Sequence, residues 1–141
     1  MKLTTYISAS VFIFISAVVI RNNEAKNQSK SLYETKWSLR KIHTGKEDFD
    51  LNNKAFIQFD DEKNIAGGNG GCNSFGSSTV IDGNTISFSN IFSTKMYCEG
   101  IQESEDAYLK TLSLANRFEI KGGTLLIYRD KILMLEFVGL Q

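Results

Sequence analysis

The sequence predicts an α+β domain in which a curved, partly closed antiparallel β-sheet of about seven to eight strands packs against one helix. Three observations carry this expectation. Short β-like runs separated by turn signals fill most of the chain from Trp37 onward, at spacings that suit antiparallel neighbours better than βαβ crossovers. Only one stretch has helical periodicity, with Ile101, Glu105, Tyr108 and Leu112 spaced by four, three and four and Leu109 widening the stripe. A single helix cannot cover so many strands, so the sheet has to bury its remaining apolar face by curling on itself.

The chain opens with an uncharged apolar run, Leu3 to Ile20, preceded only by Lys2. Residues 1–25 therefore read as an export signal peptide or an N-terminal membrane anchor. The flanks leave both open: Arg21 follows the run directly, and the nearest small-residue cleavage site ends at Ala25 with Asn23 three positions before the cut. Either form places the remainder outside the cytoplasm, in the periplasm, secreted, or held at the membrane. No cysteine lies in or just after the run, so lipid attachment is not expected. Residues 26–34 are expected to be a flexible tether, since Arg21 to Ser31 is polar and lacks the apolar surface that would offset the entropy of ordering it. Residues 35–141 form the expected domain.

Within it, Trp37 to Ile42 begins with strand alternation and slips phase at Ile42, which suits a bulge or a strand end. Ala55 to Phe59 is a second strand, closed by the charged turn Asp60-Asp61-Glu62-Lys63-Asn64. Two weaker strands flank a glycine cluster between Ile65 and Ile81, and Asp82-Gly83-Asn84 turns the chain into Thr85 to Phe88. After the helix, Arg117 to Ile120, Thr124 to Tyr128 and Lys131 to Val138 form a three-stranded meander with short turns. Proline is absent, so the turns fall to Gly, Asp and Asn.

Charge balances at 16 basic and 16 acidic residues with no Lys/Arg block, which excludes the electrostatic footprint of a nucleic-acid binder. One histidine and two cysteines supply no zinc site, and Asp60-Asp61-Glu62 lacks calcium-loop spacing. No cofactor is expected.

Several motifs occur in order: Trp37-Ser38-Leu39, Gly68-Asn69-Gly70-Gly71-Cys72-Asn73, Thr94-Lys95-Met96-Tyr97-Cys98, Glu105 to Leu112 with its Glu-x-x-aromatic-Leu-x-x-Leu pattern, and a closing hairpin from Gly123 to Phe137. Over about residues 35 to 138 the chain resembles the META domain family, the family of the heat-shock protein HslJ. It departs from the family pattern after Asn73, where Phe75-Gly76-Ser77-Ser78-Thr79 displaces a glycine by one position and lacks the usual tyrosine. The resemblance implies a cracked barrel with one helix, similar to those of secretion pilot proteins, in mostly exported proteins without established enzymatic activity. It also implies a loose association with envelope stress and drug tolerance.

An even cysteine count in an exported domain favours a Cys72–Cys98 disulfide. Two buried thiols are the alternative, and a nucleophilic cysteine is a third reading with only His43 as a base. Gly68, Gly70 and Gly71 suit a bulge or close backbone approach, because no Lys-Ser/Thr follows as in a phosphate loop. Asn73 is expected to bond local backbone or to take a left-handed turn conformation. Glu105 falls on the apolar stripe, so its carboxylate must find donors, from backbone amides or Thr94, or else serve a ligand. Asn73, Thr94, Met96, Glu105 and Tyr108 together are the candidate structural or binding surface. Phe49, Phe56, Phe75, Phe92 and Phe118 read as core or strand-face residues, beside a crevice that suits an apolar ligand.

The sequence thus points to an exported, monomeric, non-enzymatic binding or stress-tolerance module of the envelope. Its partner would be an envelope protein, a peptide or an apolar small molecule. A hydrolase or thiol-dependent enzyme and a purely structural, membrane-anchored surface protein are the alternatives.

Overall fold

The computed structural model describes residues 31–45, 48–50 and 54–140. The predicted signal or anchor, and the start of the predicted tether, lie outside the described residues. The strands are β1 (Lys36–His43), β2 (Asp48–Asp50), β3 (Phe56–Asp60), β4 (Ile65–Asn69), β5 (Ser74–Asp82) and β6 (Thr85–Ser93). The helix α1 (Gln102–Leu114) follows, then β7 (Arg117–Lys121), β8 (Thr124–Arg129) and β9 (Ile132–Leu140).

Alternation sets the inner face. Trp37 and Leu39 of β1, Ile57 and Phe59 of β3, Leu125 and Ile127 of β8, and Leu135 and Phe137 of β9 are all buried, two positions apart in each strand. The phase slip in β1 is a bulge: its register with β9 shifts between Leu39 and Lys41, which turns Ile42 back into the core. Burying one such side chain contributes about 1.5–3 kcal/mol, so this layer dominates the stability of the domain.

All strand pairs are antiparallel, and of the nine strands all but the short β2 form a ring in the order β1-β3-β4-β5-β6-β7-β8-β9, with β9 returning to β1. The ring is not a regular barrel. β6 meets β7 through the single register pair Thr85↔Arg117, whereas β8 pairs with β9 along its whole length. The chain crosses that weak seam through α1, which packs on β6, β1 and β9 and turns Tyr108 and Leu112 into the ring. This is the cracked, partly closed sheet with one helix that the sequence predicts. The small extra strand β2 pairs with the far end of β1 and is too short to show alternation.

The packed chain begins earlier than the expected tether boundary at residue 35. Residues 31–33 form a helical turn, Leu32 is fully buried, and its carbonyl accepts a hydrogen bond from Trp37 Nε1 at 3.0 Å. Leu32 supplies the apolar contact that the polar stretch before it lacks. No helix among the described residues is long and apolar enough to cross a membrane.

Candidate functional site

Glu105 sits in the first turn of α1, 2% exposed, and the loop between β4 and β5 wraps its carboxylate. Oε2 accepts the backbone N–H of Cys72 at 2.9 Å and of Asn73 at 2.6 Å, and Oε1 accepts Asn73 Nδ2 at 2.6 Å. Asn73 Nδ2 also donates to the Met96 carbonyl at 3.0 Å, while its Oδ1 accepts Thr94 Oγ1 at 2.8 Å and Met96 N–H at 2.7 Å. Both amide protons and both acceptor sites of Asn73 are therefore used. The loop closes on itself through Gly70 N–H to the Asn73 carbonyl at 2.8 Å and Gly71 N–H to Asn69 Oδ1 at 2.8 Å.

Cys72 and Cys98 form a disulfide with Cα atoms 5.9 Å apart, which fixes the segment before α1 to the same loop. The structure so brings together Asn73, Thr94, the backbone of Met96, and Glu105. Of the donors expected for Glu105, the backbone amides supply its bonds, and Thr94 bonds Asn73 instead. One expectation needs correction. Asn73 is not in the left-handed region; Gly71 takes that role with φ of 122°, freeing the Asn73 side chain to reach across to Met96 and α1.

Tyr108, one turn further along α1, belongs to the core. Its ring meets Phe75 edge-on at 5.6 Å and Phe137 at 6.0 Å, and its hydroxyl is buried without a hydrogen-bond partner. Burial pushes the Tyr108 phenol well above its ordinary pKa. Phe75 and Phe118 are core residues, Phe56 lies under the Lys36 ammonium at 3.8 Å, and Phe92 of β6 is outside the core at 70% exposed. Phe92 rests instead on the outer face, where Gly76 opposite it leaves room for the ring. The side chain of Phe49 lies outside the described residues.

The other flank of α1 borders a groove of about 880 Å³, within the range of small-molecule sites. Ala107, Lys110 and Leu114 form one wall, and Ile132, Leu133 and Met134 at the start of β9 form the other. The β8–β9 turn is held against the end of α1 by Asn116, whose N–H bonds the Tyr128 carbonyl at 3.0 Å and whose amide pairs reciprocally with Asp130 at 2.7 Å. At the groove's edge His43 Nε2 lies 2.7 Å from Glu136 Oε1. No cluster of three or more His, Cys, Asp or Glu suited to a metal occurs among the described residues. Sequence reasoning misses this groove. Its signal is the outward stripe Glu103, Asp106, Ala107, Lys110, Leu114, which reads as an ordinary solvated helix face until β9 is placed beside it.

A family model for the META domain matches residues 30–140. The chain belongs to the META domain family. No curated protein matches it. Among solved structures, this META domain is similar to a Burkholderia xenovorans protein determined by NMR, at 18% identity and a TM-score of 0.64, over 79% of this chain and 86% of that one. It is also similar to a DUF4847 family protein from Bacteroides vulgatus, at 12% identity and a TM-score of 0.52, over 76% and 93%. At such identities the likeness is one of fold.

Proposed function

We propose that this META domain is an extracytoplasmic, non-catalytic binding module of the cell envelope, serving stress tolerance there, and that it binds in the groove between α1 and the β8–β9 hairpin. The groove carries this reading. It leaves Leu114 39% and Ile132 65% exposed on facing walls, apolar surface that a bound ligand would remove from water.

Three features support the rest. The Cys72–Cys98 disulfide suits an oxidising compartment, and the apolar run Leu3 to Ile20 suits export, whether it is removed or retained. Glu105, the one carboxylate drawn into the core by α1, has both oxygens occupied by Cys72 and Asn73, which favours a structural anchor over an acid or base. Sulfur atoms joined in a disulfide carry no thiolate for nucleophilic attack.

Native mass spectrometry of the protein purified gently from the producing cell's envelope tests the proposal. A bound species of defined mass, or a partner retained in pull-down, is expected. An empty protein with no partner overturns it. N-terminal sequencing of the same material distinguishes a removed signal from a retained anchor.

A further inference from the structure

We propose that the groove takes a single-chain amphiphile with one anionic head group, its chain laid along Ala107, Leu133 and Met134 and its head held by Lys110 and Arg129. This inference rests on the domain being a binding module and names the ligand class. The argument is one of charge placement around an apolar floor.

Along the outward stripe of α1, Glu103 and Asp106 come first and Lys110 follows seven residues after Glu103, about 10 Å along the axis at the helical rise. Asn116 ties the β8–β9 turn to the C-terminal end of α1, and Arg129 immediately precedes Asp130 in that turn, so Arg129 lies toward the same end of the groove as Lys110. The groove is therefore acidic at one end and basic at the other. Lys110 and Arg129 are exposed and make no ion pair among the described residues, whereas Asp106 accepts a hydrogen bond from Gln102 Nε2 at 3.1 Å.

Two unpaired cations attract a carboxylate or phosphate head, and charge-assisted bonds to such a head are the strong class of polar contact. Glu103 and Asp106 repel the same head from the opposite end, which fixes one orientation of the ligand. Between the ends, Ala107, Leu133 and Met134 offer an apolar path, with Leu114 one turn beyond Lys110, and Met134 can repack around chains of differing shape. A cationic amphiphile would have to reverse this arrangement, placing its head at Glu103 and Asp106 and the end of its tail between the Lys110 and Arg129 cations.

Photolabelling of the full-length chain in membrane vesicles from expressing cells provides the test, with a dodecanoate that carries a diazirine on its tail. Labelled peptides should map to Ala107 or Leu133–Met134. Unlabelled dodecanoate and dodecyl phosphate should compete, which of the two does so more strongly telling a carboxylate from a phosphate head, while dodecanol and dodecyltrimethylammonium should compete at least tenfold less well. The double variant K110Q/R129Q, its folding checked by circular dichroism, should need roughly tenfold more probe for equal labelling. Equal competition by the alcohol or the cation, labelling outside the groove, or unchanged labelling of the double variant overturns the inference. An unlabelled groove in a protein that still leaves the envelope with a bound peptide also overturns it, and leaves the binding module standing. An unlabelled groove in an empty protein overturns both.

Discussion

The carboxylate of Glu105 occupies the space that a side chain at position 70 would need: a Cβ on Gly70 would stand 2.6 Å from both Cγ and Oε2 of Glu105. Gly70 is thus required by a side chain on another element, and the pair forms one unit. Gly70→Ala has to displace the carboxylate from the amides of Cys72 and Asn73, and it should lower the unfolding free energy by about 2–4 kcal/mol. Urea denaturation measures this. If the unit is real, combining Gly70→Ala with Glu105→Gln gives a loss well below the sum of the two single losses.

Glu105→Gln changes little in shape but replaces a pure acceptor with a group that brings its own N–H donors into a nest of donors. Losing charge-assisted bonds to Cys72 N, Asn73 N and Asn73 Nδ2 should cost about 2–4 kcal/mol. Glu103→Gln, on the exposed flank of the same helix turn, should change stability by no more than about 0.5 kcal/mol. Equal effects in the two variants would show that the buried network contributes little.

The segment Thr94–Cys98 is held twice, by the disulfide and by Asn73. Replacing both Cys72 and Cys98 with alanine should cost about 2–4 kcal/mol. The Met96 amide should nevertheless stay protected from hydrogen exchange, since it donates to Asn73 Oδ1. Asn73→Ala with the disulfide intact should expose that amide instead. Loss of Met96 protection in the cysteine-free variant would show that the two restraints are not independent.

Much of this arrangement is legible in the sequence. Strand alternation, the single helical stripe and the turn residues lead to the ring and its one helix, because burial acts on each element locally. Glu105 betrays itself by lying between Ile101 and Tyr108 on an apolar face, and a buried carboxylate calls for donors. That backbone amides serve it follows the expectation, but which residues carry them, and that the Asn73 side chain joins them, is not legible, since Asn73 is 32 positions away. The groove is hidden for the same reason: Lys110 and Leu114 look like solvent-facing residues until the β8–β9 turn is tied to Asn116. Whether Phe92 is a core or an outer strand-face residue stays open in the sequence because strand hydrophobicity signals a face without saying which, and the bulge between Gly76 and Ser78 with Asn90 at φ of 51° resets the inside-outside phase of β6.

Tyr108 gives the domain a sensitivity to alkaline pH. Its phenol is fully buried and unpaired, and burial raises its folded pKa well above the unfolded value near 10. Below about pH 10 both states keep the proton and the group contributes no pH dependence. Above it the unfolded chain releases the proton while the folded chain retains it, so the unfolded state binds fewer protons and stability falls by up to about 1.4 kcal/mol per pH unit. Tyr108→Phe should remove this decline and also the orphaned hydroxyl, leaving stability at neutral pH unchanged or higher by about 1 kcal/mol. Tyr33, whose pKa is raised by partial burial and then by Asp61, remains in both proteins, so the difference between them isolates Tyr108. Urea unfolding of both proteins from about pH 8 to about pH 11 makes the comparison. Parallel pH profiles would mean that the Tyr108 hydroxyl reaches solvent or a partner in the folded state.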